Sequence, residues 1–570
     1  MPGDHASAEL LAAMSSLLLG VRDTSLQLDA EGVEAVRATQ SEVLDQLSDY
    51  ILPRLVQLDA PLLAIVGGST GAGKSTLVNS LVGERVTESG VLRPTTRSPV
   101  LVHHPADAEW FQPDRILPDL ARTMAAGNSS YGLRLASTTK IPQGLAILDA
   151  PDVDSIDKGN RELAAQLLAA ADLWLFVTSA ARYSDQVPWD YLRQAAERST
   201  SVAVVLDRTS DDAVGEVRGH LARMMTSRGL SDSPLFTVPE SPLDPDGLLP
   251  PDAVGPMVRW LHELAADPAA REMVVSRTLD GAVRHIVMRT HDVADALDAQ
   301  IELSESLYRD ADTVYRTALD EVSAQSADGT LLRGEVLASW QEFVGTGELL
   351  KSVEEKVSRI RDRFVDGMTG KRNRSTEVAE AIETGVRVLL IEHAEAAAEK
   401  VSRTWGSTVA GRHLVDAAPG LDRASSDFRV KAERVVHDWR QGVLDLVRVE
   451  GADKRMTAKF LAFGVNGIAV ALMIVTFSRT ADSTTVGTAT LGRRLLDAIF
   501  GPAVVDDLVD KCHADLDSRA AALFGAELQR FHALLESPDS LKAHQATLRE
   551  SARQAEYARH ADFLNGETTS

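Results

Sequence analysis

Eight residues constrain this chain more than any others: Gly68-Ser69-Thr70-Gly71-Ala72-Gly73-Lys74-Ser75. They fit G-x-x-x-x-G-K-[ST], a pattern whose chemistry needs a strand before it and a helix after it. Ala64-Ile65-Val66 reads as that strand, and Thr76-Leu-Val-Asn-Ser-Leu81 as that helix. Glycines here let successive backbone N–H groups converge on phosphate oxygens with no Cβ in the way. The helix start adds a partial positive charge. Lys74 is expected to pair with β- and γ-phosphates and act in catalysis, and Ser75 to offer its hydroxyl to Mg²⁺. The nucleotide-binding set is therefore Gly68, Ser69, Thr70, Gly71, Ala72, Gly73, Lys74, Ser75 and Thr76. A chance glycine turn would have no reason to be flanked by a strand and a helix in register.

Such a loop needs a second carboxylate near the metal. Leu145-Ala-Ile-Leu148-Asp149 is an apolar strand ending in Asp, which can hold Mg²⁺ through a water. Asp-Ala-Pro-Asp also favours a turn, so an Asp that merely caps that turn is the competing reading. Between the two lies Leu92-Arg93-Pro94-Thr95-Thr96-Arg97-Ser98-Pro99-Val100-Leu101. A threonine there could complete the Mg²⁺ shell and sense the γ-phosphate; a plain surface loop fits the spacing equally well.

At 570 residues the chain exceeds one compact core, and 44% hydrophobic with 25% charged residues is ordinary for a folded protein. Residues 1–60 read as helices, with Leu44, Leu47, Ile51, Leu55 and Leu58 on one face and Pro53 either weakening or dividing that helix. From 61 to about 250, short apolar runs alternate with amphipathic stretches: PLLAIVGG, SPVLVHH, GLAILDAP, ADLWLFVTS and SVAVVLDRT. Runs apolar on both faces imply a largely parallel sheet covered by helices. The stretch Pro234–Pro256 reads as an irregular exit. Few strands are expected after 257. Ile301, Tyr308, Ala311, Tyr315, Ala318 and Val322 form a near-heptad seam that predicts packing against another long helix. The expected organisation is N-terminal helices packing with the trunk (1–60), an α/β domain (61–250), an all-α helical-bundle trunk (251–455), an apolar segment (456–505) and C-terminal return helices of the trunk (506–570).

A net charge of −24 makes the chain a poor non-specific binder of nucleic acid, which is not expected as a partner. One cysteine, Cys512, excludes an internal disulfide framework and a thiolate metal cage, and suits the cytoplasm. The first twenty residues lack the basic flank of a secretory signal. Phe460–Ser478 is almost entirely apolar and, at roughly 1.5 Å per residue, just long enough for a ~30 Å hydrocarbon layer. Asn466 and two glycines, followed by Arg493 and Arg494, favour a re-entrant or interfacial hairpin over two spans. A buried trunk helix is the competing reading. The basic loop Gly370-Lys-Arg-Asn-Arg374 reads as a solvated turn before it reads as a head-group site.

The phosphate loop, followed by Thr96-Arg97-Ser98-Pro99-Val100-Leu101-Val102, resembles the dynamin superfamily of large GTPases, particularly bacterial dynamin-like proteins. In detail the resemblance covers residues 61 to about 210; in layout it extends to the helical trunk. It implies a P-loop GTPase domain that uses GTP and Mg²⁺, with Lys74 and Thr96 in catalysis and Ser75, Thr96 and Asp149 at the metal. It also implies action at a lipid membrane on the inner face of the cell membrane, as a homo-oligomer or with a second dynamin-like GTPase. Asp149-Ala150-Pro151 is similar to the start of Asp-x-Pro-Gly, but Asp152 stands where Gly is expected. The family's base-reading Asn/Thr-Lys-x-Asp is replaced by Asp207-Arg208-Thr209-Ser210. Arg208 can stack on a base as Lys would; the Asp that pairs with guanine is displaced or missing. Gly71 replaces the serine that helps hold a monovalent cation in eukaryotic dynamins. These departures imply slow or partner-dependent turnover. An ATPase of the transporter type would place Glu where Ala150 stands. A nucleotide-binding scaffold without catalysis is the third reading.

Overall fold

The computed structural model describes residues 3–88, 99–113, 115–117, 120–123, 132–155, 157–197, 200–210, 212–332, 334, 336, 338–340, 368–452, 458–480 and 483–564. It divides into two compact units. Met1–Leu26, Gly32–Asp298 and Leu541–Ser570 form the first; Gln27–Glu31 and Ala299–Ser540 form the second.

The first unit is built on an eight-stranded sheet. Its strands are β1 (Leu62–Gly68), β2 (Val100–His103), β3 (Arg122–Thr123), β4 (Leu133–Ser137), β5 (Leu145–Asp149), β6 (Leu173–Ser179), β7 (Ser201–Thr209) and β8 (Leu235–Pro239). The order is β3-β4-β2-β5-β1-β6-β7-β8. All neighbours are parallel except β2 and β5, so β2, β4 and β3 run opposite to the other five. The five apolar runs seen in the sequence are β1, β2, β5, β6 and β7. β8 corrects the expectation of an irregular exit after Pro234: residues 235–239 pair with β7 at the sheet edge, where Pro239 at the strand end costs no ladder bond.

Eight helices of this unit are α1 (Gly3–Asp23), α2 (Val33–Gln46), α3 (Leu52–Val56), α4 (Lys74–Val82), α5 (Lys158–Ala169), α6 (Gln186–Glu197), α7 (Val214–Ser227) and α8 (Pro251–Ala266). Every residue of β1 and β6 is buried, because both sheet faces are covered. Leu62, Ala64 and Val66 share a core with Leu77, Val78 and Leu81 of α4 and Val254, Met257 and Leu261 of α8. On the opposite face Gly67 lies against Leu168 of α5. Each fully buried aliphatic side chain contributes roughly 1.5–3 kcal/mol. Pro53 follows directly on a π-helical stretch, Leu47–Ile51, that runs into α3, so the chain stays helical past the proline. Leu47, Ile51 and Leu55 are buried as the periodicity predicts, whereas Leu58 is exposed. Arg54 of α3 and Asp172, just before β6, form a buried ion pair of 2.8 Å.

Helix α9 (Pro268–Ala327) runs for 60 residues, and from residue 299 it belongs to the second unit. That unit contains no strand among its described residues. It contains α10 (Met368–Gly406), α11 (Val409–Ala417), α12 (Phe428–Glu450), α13 (Ala458–Thr476), α14 (Ser483–Phe500), α15 (Pro502–His532) and the start of α16 (Pro538–Arg559). Ala311, Tyr315, Ala318 and Val322 of the seam are buried in its core. Trp405 meets Phe531 with ring centroids 5.4 Å apart, and Trp439 meets Phe477 at 5.3 Å. Trp439 Nε1 donates to the carbonyl of Cys512 at 2.9 Å, and burial pushes the Cys512 thiol up to about 12.

The apolar stretch expected to face lipid is a hairpin, α13 packed on α14. Its middle and end point inward: Ile468 to Val475 and Phe477 are buried in the trunk core, Phe463 and Val465 are half-buried, and Asn466 is exposed. No helix among the described residues is long and apolar enough to cross a membrane. Gly370–Arg374, read as a loop, instead lies within α10. Lys and Arg are good helix formers, and the sequence offers no proline to stop them.

Candidate functional site

The site sits where the central strands β1 and β5 end. Two glycines shape the loop that leaves β1. Gly68 has φ 148°, and a Cβ on it would overlap the Val177 carbonyl oxygen of β6. Gly73 has φ 97° as it opens α4, and a Cβ there would overlap the Asp207 carboxylate. Only glycine satisfies both the backbone angle and the close approach. Lys74 follows with its side chain buried at 5% exposure, folded back over the loop. Its ammonium donates to the carbonyls of Gly68 at 3.0 Å and Ser69 at 3.1 Å, and pairs with the Asp152 carboxylate.

Parallel pairing of β1 with β5 sets Asp149 opposite Val66. Asp149 is fully buried. Thr87 donates its hydroxyl to Asp149 Oδ2 at 2.8 Å, whereas Oδ1 has no hydrogen-bond partner. Burial pushes the Asp149 carboxyl above the ordinary range, with Ser75, Thr87 and Lys74 pulling it back. Thr87 is itself positioned by Asn79 of α4, whose side chain takes the N–H groups of Val86 and Thr87 at 2.9 Å each and donates to the Thr87 carbonyl at 3.0 Å.

The segment after β5 folds over the loop. Ala150 N–H reaches the Val66 carbonyl at 3.2 Å, and Val153 N–H the Gly68 carbonyl at 3.4 Å. Asp154 Oδ1 accepts from both the N–H and the hydroxyl of Thr70 at 2.6 Å, and Asp154 Oδ2 accepts from Arg182 at 2.9 Å.

At the end of β7, Asp207 is 3% exposed and lies against Gly73, while Arg208 adopts a left-handed backbone with φ 52°. A non-glycine residue held there is strained by the order of 1–3 kcal/mol, and such strain gathers at functional sites. Burial pushes the Asp207 carboxyl up to about 6; the Arg208 N–H and charge oppose the shift, and Glu240 adds to it. A carboxyl raised in the folded state contributes stability that is present below the unfolded value and lost as pH rises through the folded one. Wild type therefore loses about 3 kcal/mol between about pH 4 and pH 6 relative to Asp207→Asn. Urea unfolding of both proteins at pH 4.5 and pH 7 checks this; an equal difference at the two pH values contradicts it.

The structure thus brings together Gly68, Ser69, Gly73, Lys74, Ser75, Asp149 and Asp207, with Thr70 held by Asp154. Thr96 lies outside the described residues. Thr87, Asn79, Asp154 and Arg182 were not singled out from sequence. Thr87 follows α4 within a few residues, and that nearness was the available signal; Arg182 carried none, because its contact with Asp154 depends on where β6 ends.

No family model matches the chain. A probable transmembrane GTPase FZO-like, chloroplastic, from Arabidopsis thaliana is 24% identical over 159 residues, 28% of this chain and 16% of that protein. The matched stretch thus spans less than a fifth of that relative. Two solved structures from an oligomerised bacterial dynamin pair, described as sensing and tethering membranes, align over 96% and 95% of this chain and 94% of theirs. Their identities are 9% and 10%, with TM-scores of 0.38 and 0.37. Toc33 from Arabidopsis thaliana, in complex with Mg²⁺ and GMPPNP, aligns over 47% of this chain and 97% of its own, with 16% identity and a TM-score of 0.21. Over those 159 residues this chain is similar in sequence to a probable transmembrane GTPase.

Proposed function

We propose that the protein is a dynamin-like GTPase that binds and hydrolyses GTP with Mg²⁺ and couples the cycle to a lipid surface. One observation supports it most: a buried ammonium, Lys74, lies folded over a glycine loop beside a buried carboxylate, Asp149, whose Oδ1 has no hydrogen-bond partner. Leaving a buried charged oxygen unsatisfied costs more than ~1–3 kcal/mol, so the arrangement suits a ligand that satisfies it. Hard oxygen donors such as Ser75 Oγ and Asp149 Oδ1 fit Mg²⁺, which usually takes one or two protein oxygens and leaves the rest to phosphate and water. Mg²⁺ would supply charge neutralisation at the phosphates. Lys74 would do the same between β- and γ-phosphates while water attacks the γ-phosphorus, and Thr96 would close the shell. The loop amides from Gly68 to Thr76 would hold the phosphates. Asp207 and Arg208 would border the base. The preference for guanine and the link to membranes are supported by the relative, a probable transmembrane GTPase. The partner would be a second copy or a second dynamin-like GTPase.

Titration calorimetry with Mg²⁺ should show binding of GTP in preference to ATP, and single-turnover assays in Na⁺ and K⁺ should show slow hydrolysis. Liposome flotation should depend on GTP. Equal affinity for ATP, or fast K⁺-stimulated turnover by the protein alone, would overturn the respective parts of this reading.

A further inference from the structure

Two acidic side chains occupy the mouth of the phosphate loop. Asp152, 12% exposed, pairs with the Lys74 ammonium. Asp154 takes the Thr70 amide and hydroxyl, both at 2.6 Å. Oxygen anions on the loop lysine and on a loop amide are the contacts that phosphate oxygens make with such a loop. The carboxylates therefore stand in for phosphate oxygens, and one ammonium and one N–H cannot fully serve both. Asp152 and Asp154 also share one turn, closed by Ser155 N–H on the Asp152 carbonyl at 3.3 Å, so they must leave together. The backbone bond from Val153 N–H to the Gly68 carbonyl, at 3.4 Å, is long. Arg182, 37% exposed, holds Asp154 from the outer side.

We propose that Asp152 and Asp154 form an internal carboxylate plug that competes with a nucleoside triphosphate for Lys74 and the Thr70 amide, and so sets the affinity for nucleotide. This rests on the phosphate-loop reading above. A triphosphate carries more charge than two carboxylates, so it displaces the plug, but at a cost in affinity. The apparent dissociation constant rises by the reciprocal of the open fraction, so a plug closed nine-tenths of the time weakens binding about tenfold. Asp152 within reach of the same ammonium also repels an arriving γ-phosphate. Removing its charge relieves both effects while the amide keeps its size.

The test is titration calorimetry of GMPPNP with Mg²⁺ on wild type, Asp152→Asn, Asp154→Asn, Arg182→Ala and Lys74→Ala, with thermal unfolding of each protein alone to check folding. Asp152→Asn and Asp154→Asn are each expected to bind more tightly, Asp152→Asn by about tenfold. Arg182→Ala, which loosens only the outer hold, is expected to tighten binding less. Unchanged or weaker affinity in both Asp152→Asn and Asp154→Asn overturns the plug while leaving the phosphate-loop reading intact, provided wild type binds and Lys74→Ala does not. If Asp152→Asn does not fold, the Asp154→Asn affinity decides in the same way. If none of the five proteins binds GMPPNP, the phosphate-loop reading falls and takes the plug with it.

Discussion

Lys74→Ala will bind GTP at least about 100-fold more weakly than wild type and will show no measurable hydrolysis. The side chain is buried at 5% exposure and aimed across the loop by the Gly68 and Ser69 carbonyls, so its charge acts in a site that water does not screen well. The arginines that reach the segment after β5 are already engaged, Arg182 with the Asp154 carboxylate at 2.9 Å and Arg161 with the Ser155 carbonyl at 2.6 Å. Alanine also leaves Asp152 facing the phosphates without a partner, which adds repulsion to the lost attraction. Calorimetry with GTP and Mg²⁺ reads the effect directly; a fall in affinity of less than tenfold would mean that phosphates do not lie against this ammonium.

Asp172→Ala is expected to destabilise the first unit by about 3–5 kcal/mol, because it strands a buried guanidinium. Asp172 Oδ2 accepts from Arg54 at 2.8 Å and from the Leu63 N–H at 2.8 Å, while Oδ1 accepts from the Tyr50 hydroxyl at 3.1 Å. Arg54 is left with the carbonyl of Ala60 at 3.2 Å and longer contacts to Gln57 and Pro61. The three donors come from the π-helical stretch Leu47–Ile51, from α3 and from the start of β1, so the carboxylate pins the N-terminal helices to the central strand. Burial raises the Asp172 carboxyl and Arg54 draws it back. Denaturant unfolding followed by circular dichroism measures the change. A loss below 1 kcal/mol would show that the network contributes geometry and little energy.

What was legible in the sequence follows physical lines. The central strands were visible because burial on both faces demands unbroken apolar runs, as in Leu173–Ser179. Strands β3, β4 and β8 were not, since a short or half-exposed strand at or next to a sheet edge can be composed much like a loop. Lys74, Ser75 and Asp149 could be singled out as candidates because contiguous motifs fix their neighbours. Asp154 was not, because its contact with Thr70 spans 84 positions and depends on how one turn lies over another. The apolar stretch around Ile468 could not declare its surroundings: hydrocarbon tails and a protein interior select the same side chains. Likewise the periodicity of residues 541–559 marks one helix face for burial without saying that it packs beside Ala294 and Asp298, where Gln545 bonds to both.

The burial of Cys512 has a practical corollary. A sulfhydryl that stays protonated at neutral pH and out of reach of solvent will not react with maleimide dyes. A second cysteine introduced on the turn after β5 would then be the sole site of labelling, and a fluorophore attached there would report the opening of that turn in a single, unmixed signal.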